Sequence, residues 1–171
     1  GKLTLAGHDA RLVSEGDQKI GTDGGVEIVF DPQGAGAPRN LAFRGDGVLT
    51  LGEGLVVRGG YVDIGRYWNI DGQRGLINFG TIRADVDGKV LRITDQLPSF
   101  ENRGTLEAVD GGVLEVSASE WVNHATILVE DGGQVSLQGD WSNSGLIDSS
   151  GGTVELYGTF TQEDLGSIKR S

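Results

Sequence analysis

Apolar and polar residues alternate along most of this chain in short phrases that return at a nearly constant spacing. Each phrase has two apolar positions flanking one outward position, as in Leu91-Arg92-Ile93 and Leu114-Glu115-Val116. Alternation at period two indicates a β-strand, because successive side chains point to opposite faces. The phrases begin at Leu3, Val26, Leu49, Trp68, Leu91, Leu114, Val135 and Val154, at steps of 19 to 23 residues. A fixed period of this length predicts a repeat architecture.

A second motif, an Asn followed two residues later by Gly or Ala, recurs between these phrases. The segment Asn78-Phe79-Gly80-Thr81-Ile82 returns as Asn102-Arg103-Gly104-Thr105-Leu106 and then twice more. In a coil of stacked strands, an Asn amide at a bend can bond the Asn above and below it. The spacing therefore predicts a structural ladder of Asn78, Asn102, Asn123 and Asn143. We also expect the glycines of the motif to supply unusual backbone angles at this corner. These glycines are Gly80, Gly104 and Gly145.

A large apolar residue precedes each Asn of the motif by two positions. Phe160, two positions before Gln162, fits the same slot. These positions predict a core aromatic ladder of Phe100, Trp121, Trp141 and Phe160. Exposed on one face, Trp121 and Trp141 would instead stack sugar rings, but their replacement by Phe and Leu in other copies favours the core. Two aliphatic ladders follow from the same stacking. They are Leu91, Leu114, Val135, Val154 and Ile82, Leu106, Ile127, Ile147, Ile168.

These patterns predict an all-β fold, a right-handed parallel β-helix (β-solenoid) of about eight coils with 19 to 23 residues per coil. The handedness follows from the right-handed preference of parallel connections. Leucine-rich repeats share the period but need a leucine register that is absent here. We expect one β-solenoid domain over 1–171, with less regular coils over 1–75 and regular repeats over 76–168. Because the chain contains no Met, we interpret it as a fragment of a larger protein.

Composition narrows the classes of partner. The net charge is −11 and the pI about 4.5, which disfavours nucleic acid and anionic membrane surfaces. There is no cysteine, so disulfides and thiolate metal sites are excluded. The chain has 30 glycines and 3 prolines, which indicates many tight turns rather than collagen or disorder. No apolar run approaches the roughly 20 residues of a membrane-spanning helix, so we expect no direct membrane insertion.

The pattern of aromatic, Asn and Gly-Gly positions over 76–168 resembles repeats in large bacterial exoproteins. These are the filamentous-haemagglutinin-like proteins and the passenger domains of autotransporters, which fold as parallel β-helices. The resemblance implies a non-catalytic segment of a bacterial secreted or cell-surface protein, acting as adhesin, rigid stalk or assembly scaffold. It also implies an extracellular location. The expected partners are adjacent segments of the same larger protein, carbohydrate or another surface protein.

The same fold group includes polysaccharide lyases and hydrolases, so an enzyme or a carbohydrate-binding module is the alternative. Its candidate carboxylates are the pairs Asp85/Asp87 and Glu130/Asp131. However, Asp87, Asp110 and Asp131 precede glycine at equivalent turns, which is ordinary turn chemistry. We therefore predict no catalytic residues and no cofactor. The charge and the turn aspartates leave Ca²⁺-stabilised folding as a side hypothesis.

Two further groups of residues are candidates for binding. The histidines are His8 and His124, and neither has a second His or Cys nearby in sequence. We interpret His124 as a solvated surface residue rather than a metal ligand. The aromatic residues Tyr61, Tyr67 and Trp68 form a looser cluster near an irregular coil. We treat them as a hypothetical carbohydrate contact.

Overall fold

The chain folds into three parallel β-sheets that wind around one core, in a computed structural model that describes residues 1–7, 9–21, 25–31, 38–65 and 73–171. Sheet A contains β1 (Lys2–Leu5), β4 (Val26–Phe30), β7 (Leu55–Gly59), β10 (Thr81–Ala84), β13 (Thr105–Ala108), β16 (Thr126–Glu130), β19 (Leu146–Ser150) and β21 (Ser167–Arg170). Sheet B contains β2 (Arg11–Glu15), β5 (Arg39–Arg44), β8 (Val62–Ile64), β11 (Val90–Ile93), β14 (Val113–Val116), β17 (Gln134–Leu137) and β20 (Thr153–Leu156). Sheet C contains β3 (Gln18–Ile20), β6 (Gly47–Leu51), β9 (Arg74–Asn78), β12 (Ser99–Asn102), β15 (Glu120–Asn123) and β18 (Asp140–Asn143).

Each coil passes through one strand of sheet A, then one of sheet B, then one of sheet C. Every strand pairs in parallel with its counterpart one coil later, for example β13 with β16 and β14 with β17. The described strands thus form an all-parallel β-solenoid, which confirms the predicted fold class.

The solenoid has about six turns rather than the eight predicted. The error lies in the amino-terminal phrases, which do not occupy equivalent positions in the coil. The phrases at Leu3 and Val26 lie in sheet A, whereas the phrase at Leu49 lies in sheet C. The last four phrases lie in sheet B, and the phrase at Trp68 falls outside the described residues. Alternation marks any half-buried strand, so it could not distinguish the three strands of one coil.

The core consists of columns of stacked side chains, and the predicted aliphatic columns are present. Leu91, Leu114, Val135 and Val154 are successive register partners in sheet B. In sheet A, one column runs from Leu3 through Ile28 and Val57, and then along the predicted series from Ile82 to Ile168. Its inner members are almost completely buried, whereas Leu3 is 44% and Ile168 is 51% exposed at the two ends. Each coil therefore buries its apolar residues against the next coil.

The corner between sheets A and B is a stack of tight turns at the Asp-Gly motifs. In the segment 109–112, Asp110 and Gly111 have φ values of 53° and 74°, and the Gly112 N–H donates to the Val109 carbonyl at 2.9 Å. Two successive positive φ values define a type I′ turn, which Asp-Gly favours. The turns also bond to one another, since the Gly111 N–H donates to the Asp131 carbonyl at 3.1 Å.

The corner after sheet C differs from its prediction. Gly80, Gly104 and Gly145 do not have positive φ, so unusual backbone angles are not the reason for glycine there. A Cβ on Gly104 would instead collide with the backbone of Phe79 and Gly80 in the preceding coil. Ala125 carries a Cβ at the equivalent position. The hydrogen bond from the Thr126 N–H to the Gly104 carbonyl is 3.2 Å there, against 2.8 Å between Thr105 and Gly80.

Candidate functional site

The asparagines of the repeated motif form one continuous hydrogen-bonded column inside the corner that follows sheet C. Each Asn is the register partner of the next, and all four are at most 2% exposed. The Nδ2 of Asn78 donates to Oδ1 of Asn102 at 2.8 Å. The same bond is 2.7 Å from Asn102 to Asn123 and from Asn123 to Asn143. Each Nδ2 also donates to a backbone carbonyl two residues on, at Gly80, Gly104 and Ala125.

This column has a direction, and its two ends differ. At the last coil, Nδ2 of Asn143 donates to the Leu165 carbonyl at 2.7 Å, so backbone replaces the missing fifth Asn. Leu165 ends a short 3₁₀ helix, η1 (Glu163–Leu165), which crosses the edge of β18. At the first copy, Oδ1 of Asn78 is buried and has no hydrogen-bond partner. Its register partner in the preceding coil is Leu51, which cannot donate.

The aromatic residues stack in the core beside the Asn column. The rings of Trp121 and Trp141 are 5.7 Å apart at an interplanar angle of 20°. Phe100 lies 6.2 Å from Trp121, and Phe160 lies 5.3 Å from Trp141, although Phe160 is outside any strand and 37% exposed. Each indole N–H donates to a backbone carbonyl, Trp121 to Gln138 and Trp141 to Tyr157. The two tryptophan rings therefore face inward and do not offer a surface for sugar stacking.

Charged side chains on the outer faces pair from coil to coil. On sheet A, Arg83 donates to Glu107 of the next coil, and this hydrogen bond raises the pKa of Arg83. On sheet B, Arg92 contacts Glu115 on one side and Asp63 on the other, and its hydrogen bond with Glu115 raises its pKa. These carboxylates are bound to arginines and lie on open sheet faces.

Three of the predicted carboxylates, Asp85, Asp87 and Asp131, lie in ion-pair or turn positions. Asp85 is bound to Arg58 at 2.6 Å, with its side chain 9% exposed. Asp87 instead packs against the turn glycine Gly111 of the next coil. Asp131 is the first central residue of a type I′ turn, with φ 50°. Within the described ranges, no group of three or more His, Asp or Glu side chains has metal-site geometry.

His124 lies on the surface, where its Nδ1 is 2.8 Å from the Ser144 hydroxyl and its Nε2 is 3.3 Å from Glu101. Its side chain is 41% exposed. Among the aromatic cluster, Tyr61 is described, with φ 62° and 39% exposure. Tyr67, Trp68 and His8 lie outside the described residues. The structure therefore places one member of the proposed carbohydrate contact.

The outer face of sheet C carries a groove with a volume of about 520 Å³. It crosses five strands, from β6 to β18, and η1 contributes Asp164 at one end. Its apolar residues are Val48, Ile77 and Val122 at outward positions, together with Leu76, Phe100, Trp121 and Trp141, which are at most 4% exposed. Its acidic residues are Glu101, Glu120, Asp140 and Asp164. Among the described residues that line it, there is no Lys, Arg or His.

Sequence reasoning missed this groove because it concerned the inward positions of the strands. The outward positions of sheet C stand directly beside the aromatic and Asn positions, as Glu120 and Val122 flank Trp121. Reading these flanking positions down the repeats gives the column Ser99, Glu120, Asp140. One end of the groove is formed by Thr159 and Asp164, which follow the last repeat phrase and which no repeat predicts.

Comparison with protein-family models, with curated proteins and with solved structures found no match. In the described part of the chain, no helix has the length and apolar character needed to cross a membrane.

Proposed function

We propose that this chain is a non-catalytic segment of a bacterial secreted or cell-surface protein, acting as a rigid scaffold or stalk that carries binding surfaces. The observation that carries this proposal is the continuity of the Asn column and the aromatic stack through successive coils. Buried polar chains in which most members are bonded rigidify the core and fix one register between coils.

The outer surface supports the same function. On sheets A and B, the charged residues bond their counterparts one coil away, as Arg83 does with Glu107 and Lys169 does with Asp148. Single exposed pairs contribute little to stability. Repeated along a face, they favour one relative position of neighbouring coils, which suits a stalk or scaffold.

A carbohydrate-binding or polysaccharide-active function is the second candidate, and the groove on sheet C is the observation that favours it. The groove holds two acidic residues, Glu101 and Glu120, near the middle of the sheet. Glu101 is bound to Arg103 at 2.6 Å and contacts His124. Glu101 is thus engaged by two basic side chains of the chain itself, which favours a structural role for it.

A glycan-binding screen with a turnover assay tests the proposed function. The chain is applied to a panel of neutral and acidic polysaccharides with Ca²⁺ and with EDTA, and bound glycans are analysed for cleavage. We expect no cleavage in either condition and no change in the melting temperature on addition of EDTA. Cleavage that is lost in Glu101→Gln or Glu120→Gln would overturn the non-catalytic assignment. A melting temperature that falls in EDTA would establish the Ca²⁺ hypothesis instead.

A further inference from the structure

We propose that the groove on sheet C binds an extended, positively charged peptide segment of a partner protein. This inference rests on the proposed function, since it names the partner class that a scaffold of this kind would hold. The groove carboxylates Glu120, Asp140 and Asp164 belong to none of the sites predicted from the sequence.

The floor of the groove includes apolar side chains that are open to solvent. Val48 is 36% exposed, and Ile77 and Val122 are half-buried at outward positions of β9 and β15. Strand residues that face water are usually polar when the other face is buried. Apolar side chains at these positions favour contact with the apolar side chains of a partner.

The negative charge of the groove favours a positively charged partner. Glu120 and Asp140 are exposed register partners, and their side chains have no hydrogen bond or ion pair within the described chain. Asp164 accepts hydrogen bonds from the N–H and hydroxyl of Thr161, both at 2.8 Å. These bonds lower the pKa of Asp164, so a negative charge is fixed at one end of the groove. Complementary potential steers and selects a cationic ligand.

The shape and lining favour a peptide over a glycan. Five strands at about 4.8 Å spacing give a groove about 19 Å long, which matches about six residues of extended chain at about 3.3 Å each. Trp121 and Trp141 also line the groove, but they are only 4% and 3% exposed and stack on each other, so their rings offer little surface to a sugar. In a bound peptide with alternating apolar and basic residues, the apolar side chains would contact the aliphatic residues of the floor. The basic side chains would pair with the surrounding carboxylates.

The proposal is tested with a labelled, end-blocked hexapeptide of alternating Lys and Val, measured by fluorescence anisotropy at low salt. A Glu/Val hexapeptide controls for charge, and a Lys/Ser hexapeptide controls for the apolar floor. We expect the Lys/Val peptide to bind, the Glu/Val peptide not to bind, and the Lys/Ser peptide to bind at least about fivefold more weakly. Binding should weaken steeply with added salt, because the Debye length falls to about 10 Å at 0.1 M.

A matched pair of triple variants locates the site. Glu120→Gln/Asp140→Asn/Asp164→Asn removes three charges from the groove, and Glu53→Gln/Asp110→Asn/Asp131→Asn removes three exposed charges elsewhere. Asn tolerates the left-handed conformation of Asp110 and Asp131, so the control variant should fold. We expect affinity to fall at least about tenfold in the groove variant and less than about twofold in the control.

Other outcomes would contradict the groove site, the peptide ligand or the non-catalytic function separately. Equal weakening in the two variants would mean diffuse attraction to a protein of charge −11 and would overturn the groove site. A neutral oligosaccharide that displaces the peptide would make the groove a glycan site. Absence of peptide binding by the folded protein would overturn this inference alone. Recovery of a cleaved peptide would instead overturn the non-catalytic function.

Discussion

Single asparagines determine the energetics of the corner after sheet C, because each one has a donor and an acceptor that must both be satisfied inside the protein. Asn102 and Asn123 use both sides of the column, donating to the next Asn and accepting from the previous one. Asn78 donates to Asn102 but leaves its own Oδ1 unpaired above Leu51. The middle asparagines of the column therefore make more hydrogen bonds to other asparagines than the first one does.

We expect Asn102→Leu to destabilise the protein more than Asn78→Leu, by at least about 1 kcal/mol. Replacing Asn102 removes two Asn–Asn hydrogen bonds, after which Oδ1 of Asn123 keeps only the N–H of Ala125, at 3.3 Å. Each hydrogen bond contributes about 0.5–1.5 kcal/mol net. Replacing Asn78 removes one Asn–Asn hydrogen bond, and it also removes the existing unpaired oxygen. The midpoint of urea unfolding at constant m-value measures the difference.

The chain itself supplies the steric control for this pair of variants. Leu51 occupies the same column one coil earlier and is completely buried, so a leucine fits at this corner. Equal unfolding free energies for the two variants would show that the additional Asn–Asn hydrogen bond at Asn102 does not stabilise the protein.

The column was predictable from sequence because a fixed repeat turns equal positions into direct contacts. The repeat could not reveal why glycine stands two residues after three of the four Asn residues. The choice depends on the distance to the previous coil at Gly104, and Ala125 shows that one coil adjusts to a methyl group. The distance between the backbones of neighbouring coils depends on how the coils pack, and the repeat pattern does not encode it.

At the scale of elements, equivalent Asp-Gly turns adopt different geometries. Asp110 and Asp131 have φ values of 53° and 50°, and both open type I′ turns. At the Asp87 turn, Gly88 alone has a positive φ, of 61°, and the Lys89 N–H donates to the Val86 carbonyl at 2.9 Å. This is the pattern of a type II turn. The same dipeptide therefore tolerates different substitutions in neighbouring coils.

We expect Asp110→Ala to destabilise the protein by about 1 kcal/mol, because a left-handed conformation costs an ordinary residue about 1–2 kcal/mol. Asp110→Asn should change the unfolding free energy by less than about 0.5 kcal/mol, because Asn accepts this conformation. Asp87→Ala should change the unfolding free energy by about as little as Asp110→Asn does. Urea titration of the three variants gives the comparison, and a loss at Asp87 as large as at Asp110 would contradict the assigned turn types.

At the scale of the whole molecule, stacking makes stability a local property that varies along the axis. The strands of the first coil are mostly exposed, since β1, β2 and β3 contain one fully buried residue, Ser14. The strands of the middle coils alternate between buried and half-buried positions, as in β13 and β14. The Asn column and the aromatic stack both lie in the carboxyl-terminal part of the solenoid. In the less regular part, β5 and β8 are also largely buried, whereas β20 and β21 at the other end are exposed or half-buried. Burial therefore follows position along the axis more than regularity of the sequence.

Hydrogen exchange should follow this gradient. In a solenoid, each coil is stabilised by its neighbours, so coils with weaker interfaces open without global unfolding. We expect the bonded amides of β13, β14 and β16 to exchange at least about a hundredfold more slowly than those of β1 and β3, measured by NMR under conditions where opening precedes exchange. The comparison is restricted to amides that donate within a sheet, which removes the trivial effect of free N–H groups. Equal protection in all coils would instead mean that the solenoid opens as one cooperative unit. In that case the interface between the first and second coils must be as strong as those in the middle, despite its exposed strands.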